Sequence, residues 1–237
     1  MDFIKGEVLY INKPLHWTSF KVVNVVRAKI CERLKIKKLK VGHAGTLDPL
    51  ATGVMIVCTG KKTKEIERFQ AQTKEYIATI RLGATTPSFD LETAVDATYP
   101  THHITEEKVN DVMKKFVGQI EQVPPVFSAC KIEGERAYKL ARKNEDIELK
   151  PKLLVIDNVE LLAYELPIIT IKVVCSKGTY IRALARDIGR ELGSGAHLTG
   201  LVRTRVGDAT LDQCLQVSEL DRFFDENIKN DSNFLIK

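Results

Sequence analysis

From Ser19 to Leu34 the apolar residues Val22, Val23, Val26 and Ile30 recur at helical spacing over a run too long for a typical strand. The valine pairs favour strand by propensity, but period and length predict a helix with Thr18 or Ser19 as its N-cap. A second stripe, Val109, Val112, Met113, Phe116 and Val117, lies within Thr105 to Val117, with Glu106 and Glu107 in the first turn and Gly118 beyond the end. A third helix is predicted from a Thr179 cap to Leu192, with Ile181, Leu184, Ala185, Ile188 and Leu192 facing inward. Strand patterns fall at Val8 to Asn12, Val54 to Cys58, Glu75 to Leu82, Leu153 to Glu165 and Ile168 to Cys175. In the third of these, Tyr76, Ala78, Ile80 and Leu82 share one face, which puts the tyrosine on the apolar side. Short helices are expected at Lys61 to Phe69 and Ser218 to Phe224.

Strands and helices interleave without a regular strand-helix-strand alternation, so the fold class is read as α+β. A chain of 237 residues, 44% of them hydrophobic, can bury a sizeable core as one large domain or two closely packed subdomains. No run of 18 apolar residues and no signal-peptide succession occur, so the expectation is a cytoplasmic protein that does not engage a membrane. The five cysteines are widely scattered, at 31, 58, 130, 175 and 214, without metal-site or disulfide spacing. They read as reduced, mostly core thiols, with neither metal nor cofactor implied.

The excess of 36 basic over 31 acidic residues is too small to announce a nucleic-acid protein. Its distribution says more. Arg27, Lys29, Arg33, Lys35, Lys37, Lys38 and Lys40 stand against the single acid Glu32, which suits either phosphate contacts or a solvated helix face. A second cluster, Arg136, Lys139, Arg142, Lys143, Lys150 and Lys152, brackets Tyr138 within an insertion-like segment that begins at Pro124-Pro125 and runs to about Lys150.

The basic block leads into Gly42-His43-Ala44-Gly45-Thr46-Leu47-Asp48-Pro49-Leu50-Ala51-Thr52-Gly53, a single carboxylate among glycines and small residues. Asp-Pro favours a turn that fixes where the carboxylate points, and Asp48 could open that turn or perform chemistry from it. Two nucleotide-binding readings fail. Thr59-Gly60-Lys61-Lys62-Thr63 has Met55 where a phosphate loop needs glycine and Lys62 where it needs Ser or Thr, and Gly193 to Leu198 lacks the final glycine of a dinucleotide fingerprint.

At full length the Gly42 to Gly53 run resembles the signature of the tRNA pseudouridine synthase B family, the pseudouridine-55 synthases. The resemblance extends through Gly6-Glu7-Val8-Leu9-Tyr10-Ile11-Asn12-Lys13-Pro14 with Trp17-Thr18-Ser19, Pro124 to Lys131, Arg136 to Arg142, Lys177 to Asp187 and Gly195 to Leu198, in the family order from about residue 6 to about 206. It implies a pseudouridine synthase fold: a long mixed, mostly antiparallel sheet with a central cleft and flanking helices. It also implies a single catalytic domain with a thumb-like insertion at about 124 to 150. Only a short extension from about 207 to 237 follows, where relatives commonly carry an RNA-binding PUA domain. Leu15-His16 departs from the family, which often has a glycine before Trp17.

By the resemblance, Asp48 is the catalytic carboxylate, Arg182 pairs with it, and Tyr76 stacks on the flipped uracil and moves a proton. His43 helps hold the target nucleotide out of its helix, Leu201 lines the base pocket and Lys131 borders it. Lys13, Tyr180, Arg136 and Arg142 are further expected RNA contacts. The implied reaction converts uridine 55 of the tRNA T-loop to pseudouridine, without cofactor and by a monomer with no obligatory protein partner. A tRNA-folding chaperone with secondary catalysis and a guide-RNA-dependent relative remain the alternatives.

Overall fold

The computed structural model describes residues 1–127, 131–132, 135–136 and 149–228. Along the chain, β1 (Val8–Lys13) leads to α1 (Ser19–Leu34), β2 (Val41–His43), β3 (Ala51–Thr59) and α2 (Ile66–Ala71). There follow β4 (Lys74–Leu82), the short β5 (Ala84–Thr85) and β6 (Ala97–Thr98), α3 (Glu106–Lys114), β7 (Gly118–Gln122), β8 (Lys131–Ile132) and β9 (Glu135–Arg136). The chain continues through β10 (Lys152–Glu165), β11 (Ile168–Cys175), α4 (Ile181–Glu191), β12 (Ala196–Val206), β13 (Ala209–Thr210), β14 (Leu215–Gln216) and α5 (Leu220–Asn227). The fold class is α+β. Strand β3 pairs antiparallel with β1 and β2, and β10 antiparallel with β11 and β7, whereas β1 and β14 are parallel. None of the described helices is long and apolar enough to cross a membrane.

Two compact units divide the chain: Met1–Lys74 with the segment from Val202 onward, and Glu75–Leu201. In the first, β1 pairs with β3 from Val8↔Cys58 to Lys13↔Gly53, β14 runs parallel to β1 and β2 lies against β3. Alternation along β1 turns Leu9, Ile11 and Lys13 to the buried side. Helix α1 spans the predicted residues; Thr18 caps it by accepting from the Lys21 amide, and Ser19, Val22, Val23, Val26 and Ile30 are buried. Those valines pack with Ile11, Met55 and Val57 and with Leu220 and Phe224 of α5, whose Phe224 ring meets Phe3 edge-on at 5.4 Å. The end of the chain thus helps close this core. Lys29 and Arg33 of the basic block are tied to α5, Lys29 to Asp221 at 2.6 Å and Arg33 to Asp225 at 2.7 Å.

In the second unit β10 and β11 form a long hairpin, with β4 beside β11 and β7 beside β10. The alternation predicted for β4 holds: Tyr76, Ala78, Ile80 and Leu82 are buried. Helix α3 packs on β10 and touches α4, burying Val109, Val112 and Met113. Helix α4 begins at Ile181, with Tyr180 rather than Thr179 at the cap position and no side-chain cap bond; the Thr179 hydroxyl donates to the Ser176 carbonyl at 3.1 Å. Its inward face matches expectation, with Ile181, Leu184, Ala185, Ile188 and Leu192 buried.

Cys58, Cys175 and Cys214 are buried and Cys31 is half-buried, none of them in a disulfide, while Cys130 lies outside the described residues. Burial pushes the Cys58 and Cys214 thiols up to about 11, which keeps both protonated at neutral pH.

Candidate active site

In the first unit the Asp48 loop enters from β2 and leaves into β3. The Asp48 carbonyl accepts from the Ala51 amide at 3.0 Å, closing a turn with Pro49 at its second position, as the Asp-Pro pair predicts. Residues before and after Asp48 are both tied to the connection between β1 and α1. The Ser19 hydroxyl donates to the Leu47 carbonyl at 3.1 Å and accepts from the Leu47 amide at 2.9 Å; the Pro49 carbonyl accepts from the His16 amide at 2.8 Å. His16 takes a left-handed φ of 63°, the conformation a glycine adopts most readily, at the place where the family often has one. The departure noted at Leu15-His16 therefore keeps the backbone shape and accepts about 1 kcal/mol of strain.

Arg203, on β12, ties both ends of the loop. Its guanidinium, 1% exposed, donates from Nε to the Val54 carbonyl at 2.7 Å and from Nη2 to the Gly45 carbonyl at 3.2 Å. Gly53 fits because β12 passes against it: with φ 109°, any Cβ there would stand 2.2 Å from the Arg203 carbonyl oxygen.

Lys13 corrects an expectation. It is fully buried rather than presented to RNA, because β1 alternation turns it inward; its ammonium donates to the carbonyls of Pro14 at 3.0 Å, Trp17 at 2.7 Å and Pro49 at 3.5 Å. Burial pulls its pKa down to about 8, the Asp48 carboxylate opposes that shift and Arg203 adds to it. Lys13, Asp48 and Arg203 are therefore electrostatically coupled around one half-buried carboxylate. His43, on β2, is half-buried, and burial lowers its pKa, so the ring is neutral at pH 7 and suited to packing against a base rather than to holding a phosphate.

In the second unit Arg182 falls in the first turn of α4 and is 4% exposed. Its Nε lies 3.4 Å from Asp90 Oδ2, while Nη1 and Nη2 donate to the Ser88 and Phe127 carbonyls, each at 3.1 Å. A polar turn presents Asp90: the Thr86 hydroxyl donates to the Asp90 carbonyl at 2.7 Å, and Asp90 Oδ1 accepts from the Glu92 amide at 2.9 Å. Tyr180 precedes the helix and is held by Gln122, whose Oε1 accepts from the Tyr180 amide at 2.9 Å and whose Nε2 donates to its carbonyl at 3.2 Å. Tyr76 is 8% exposed on β4 and Leu201 is half-buried on β12.

Asp48, His43 and Lys13 thus belong to the first unit and Tyr76, Tyr180, Arg182 and Leu201 to the second. Lys131 pairs with Arg136 where β8 meets β9, and Arg142 lies outside the described residues. Sequence reasoning missed Asp90, Gln122 and Arg203 and read Ser19 as a candidate helix cap. No periodicity marked any of these: Gly200, Arg203 and Arg205 break the pattern of the strand that carries Arg203.

Residues 32–181 match the family described as TruB family pseudouridylate synthase (N terminal domain), and residues 182–235 match the tRNA pseudouridylate synthase B C-terminal domain. The fold class is that of the pseudouridylate synthases, and within it the chain belongs to the TruB family. It is 68% identical over 228 residues to the tRNA pseudouridine synthase B of Parabacteroides distasonis, covering 96% of this chain and 97% of that one. Over 226 residues it is 69% identical to the tRNA pseudouridine synthase B of Bacteroides fragilis, covering 95% and 97%. Among solved structures, a chain of a Cbf5-Nop10-Gar1 complex matches with a TM-score of 0.69 at 28% identity; the match covers 96% of this chain and 58% of that one.

Proposed function

We propose that this protein is a stand-alone tRNA pseudouridine-55 synthase. The observation that carries the reading is Asp48 itself: a half-buried carboxylate on a turn tied through both neighbouring residues, in the motif that the family match spans. The reaction breaks the bond between uracil N1 and ribose C1′, turns the base and joins C5 to C1′; C5 gives up its proton and N1 takes one up, so that substrate and product have the same composition. Asp48 supplies the carboxylate that begins it, beside the buried side chains of Lys13 and Arg203.

Arg182 serves as the paired cation of Asp48 in the reacting complex, with Asp90 and the Ser88 and Phe127 carbonyls fixing its fork. Tyr76 stacks on the uracil and moves the proton, and neutral His43 helps hold the target nucleotide out of its helix. Leu201 lines the pocket, and Lys131, Arg136, Arg142 and Tyr180 contact the RNA. The enzyme works in the cytoplasm as a monomer without an obligatory protein or guide RNA, consistent with the near-complete coverage of relatives named for tRNA.

Purified protein incubated with unmodified tRNA transcript, followed by carbodiimide mapping, should yield pseudouridine in the T-loop with nothing else added. Asp48→Asn should abolish the product, a loss of about three orders of magnitude or more, while tRNA binding persists. No T-loop product from the wild type refutes the reading. If Asp48→Asn still assists tRNA folding as well as the wild type does, the chaperone activity is separate from the chemistry.

A further inference from the structure

We propose that Ser19 is a positioning residue for Asp48, acting through the main chain of Leu47; the proposal rests on the catalytic role of Asp48 argued above. Ser19 is 3% exposed at the first position of α1. Its hydroxyl is not needed for capping, because Thr18 Oγ1 already accepts from the Lys21 amide at 3.1 Å. Instead, one oxygen meets both polar groups of one residue, accepting from the Leu47 amide at 2.9 Å and donating to the Leu47 carbonyl at 3.1 Å.

Leu47 is buried at 3% exposure, so its amide and carbonyl depend on protein partners. On the other side of Asp48, the Pro49 carbonyl accepts from the His16 amide, three residues before Ser19 in the same connection. The peptide before Asp48 and the carbonyl after it are therefore fixed by one short segment. Backbone freedom at Asp48 is removed, and what remains to aim the carboxylate is its own side-chain rotation. Removing the hydroxyl leaves two buried main-chain groups unpaired, and the turn can satisfy them only by moving toward water. Displacements of this size matter for a nucleophile, because reacting atoms must approach within about 3 to 3.5 Å in alignment.

The test uses full-length protein and unmodified tRNA transcript in single-turnover assays with enzyme in excess. Ser19→Ala should slow pseudouridine formation about tenfold to a hundredfold at saturating enzyme, with tRNA affinity unchanged within about twofold. Hydrogen exchange at the Leu47 amide should accelerate in the same variant while amides of β1 and β3 keep their protection. Thr18→Ala is the control for a purely structural effect: loss of the cap should lower Tm without slowing the reaction. Ser19→Cys keeps the volume with a weaker donor and acceptor; its rate should fall between wild type and Ser19→Ala, and it carries the test if the alanine variant does not fold.

A wild-type rate in Ser19→Ala, or an equal slowing in Thr18→Ala, overturns the proposal. So does a loss confined to tRNA affinity. A wild-type protein that forms no pseudouridine overturns the functional reading beneath it, and the Leu47 exchange rate separates that failure from failure of the tie.

Discussion

The turn that carries Asp48 and the helix start that carries Arg182 are supported by the same local device and differ in what they bury. In each, one polar side chain satisfies both main-chain groups of a residue close before the functional one: Ser19 with Leu47, and Gln122 with Tyr180. Around Asp48 the buried charges are supports, Lys13 and Arg203, which spend their donors on backbone carbonyls and leave the carboxylate half-buried. Around Arg182 the charge with the proposed catalytic role is itself buried, and Asp90 is buried with it. A group that must meet substrate stays reachable while its scaffold is desolvated. A group that acts through its field can be enclosed, because a dry environment strengthens that field.

The sharpest test of this contrast is one substitution made in both places. Arg203→Lys should cost about 3 kcal/mol of stability in urea unfolding, because one ammonium cannot serve the Val54 and Gly45 carbonyls together and a buried acceptor goes unpaired. If its stability stays within error of wild type, the loop is not held from β12. Arg182→Lys should slow single-turnover pseudouridine formation about a hundredfold, since one ammonium cannot serve Asp90 and the Ser88 and Phe127 carbonyls together and the proposed bidentate role of the side chain is lost. Wild-type rates would show that the fork geometry is dispensable.

A third test is the pH dependence of Lys13. With a folded pKa of about 8 against an ordinary 10.5, the folded protein binds fewer protons than the unfolded chain between those values, so this group adds stability as pH rises through that window. The Tm of wild type relative to Lys13→Met should therefore increase from about pH 8 to about pH 10.5. A constant difference would mean that the ammonium remains charged beside Asp48.

Much of the fold was legible because burial follows period. The helical spacing of Val22, Val23, Val26 and Ile30 and the alternation of Tyr76, Ala78, Ile80 and Leu82 each report a face packed on a core. Strand β12 was not legible. Gly200, Arg203 and Arg205 interrupt its pattern, and Arg203 is inside only because distant carbonyls receive it. The start of α4 was misplaced as well: Thr179 resembles a cap, but Tyr180 holds the cap position, its backbone bonded at both groups by Gln122. Lys13 failed likewise, since a lysine reads as a surface residue until its strand register turns it inward.

By itself the sequence determined the α+β class, the helical and strand faces, and the run Gly42 to Gly53 with the Asp-Pro turn at its head. Those features are local: near neighbours, chain stereochemistry and a motif's residue order suffice to specify them. Only tertiary structure decided that Ser19 bonds Leu47 across 28 positions, that Arg203 reaches Val54 across 149, and that Asp90 faces Arg182. Each joins a buried polar group to a partner far along the chain, a pairing demanded by desolvation and encoded by no periodicity.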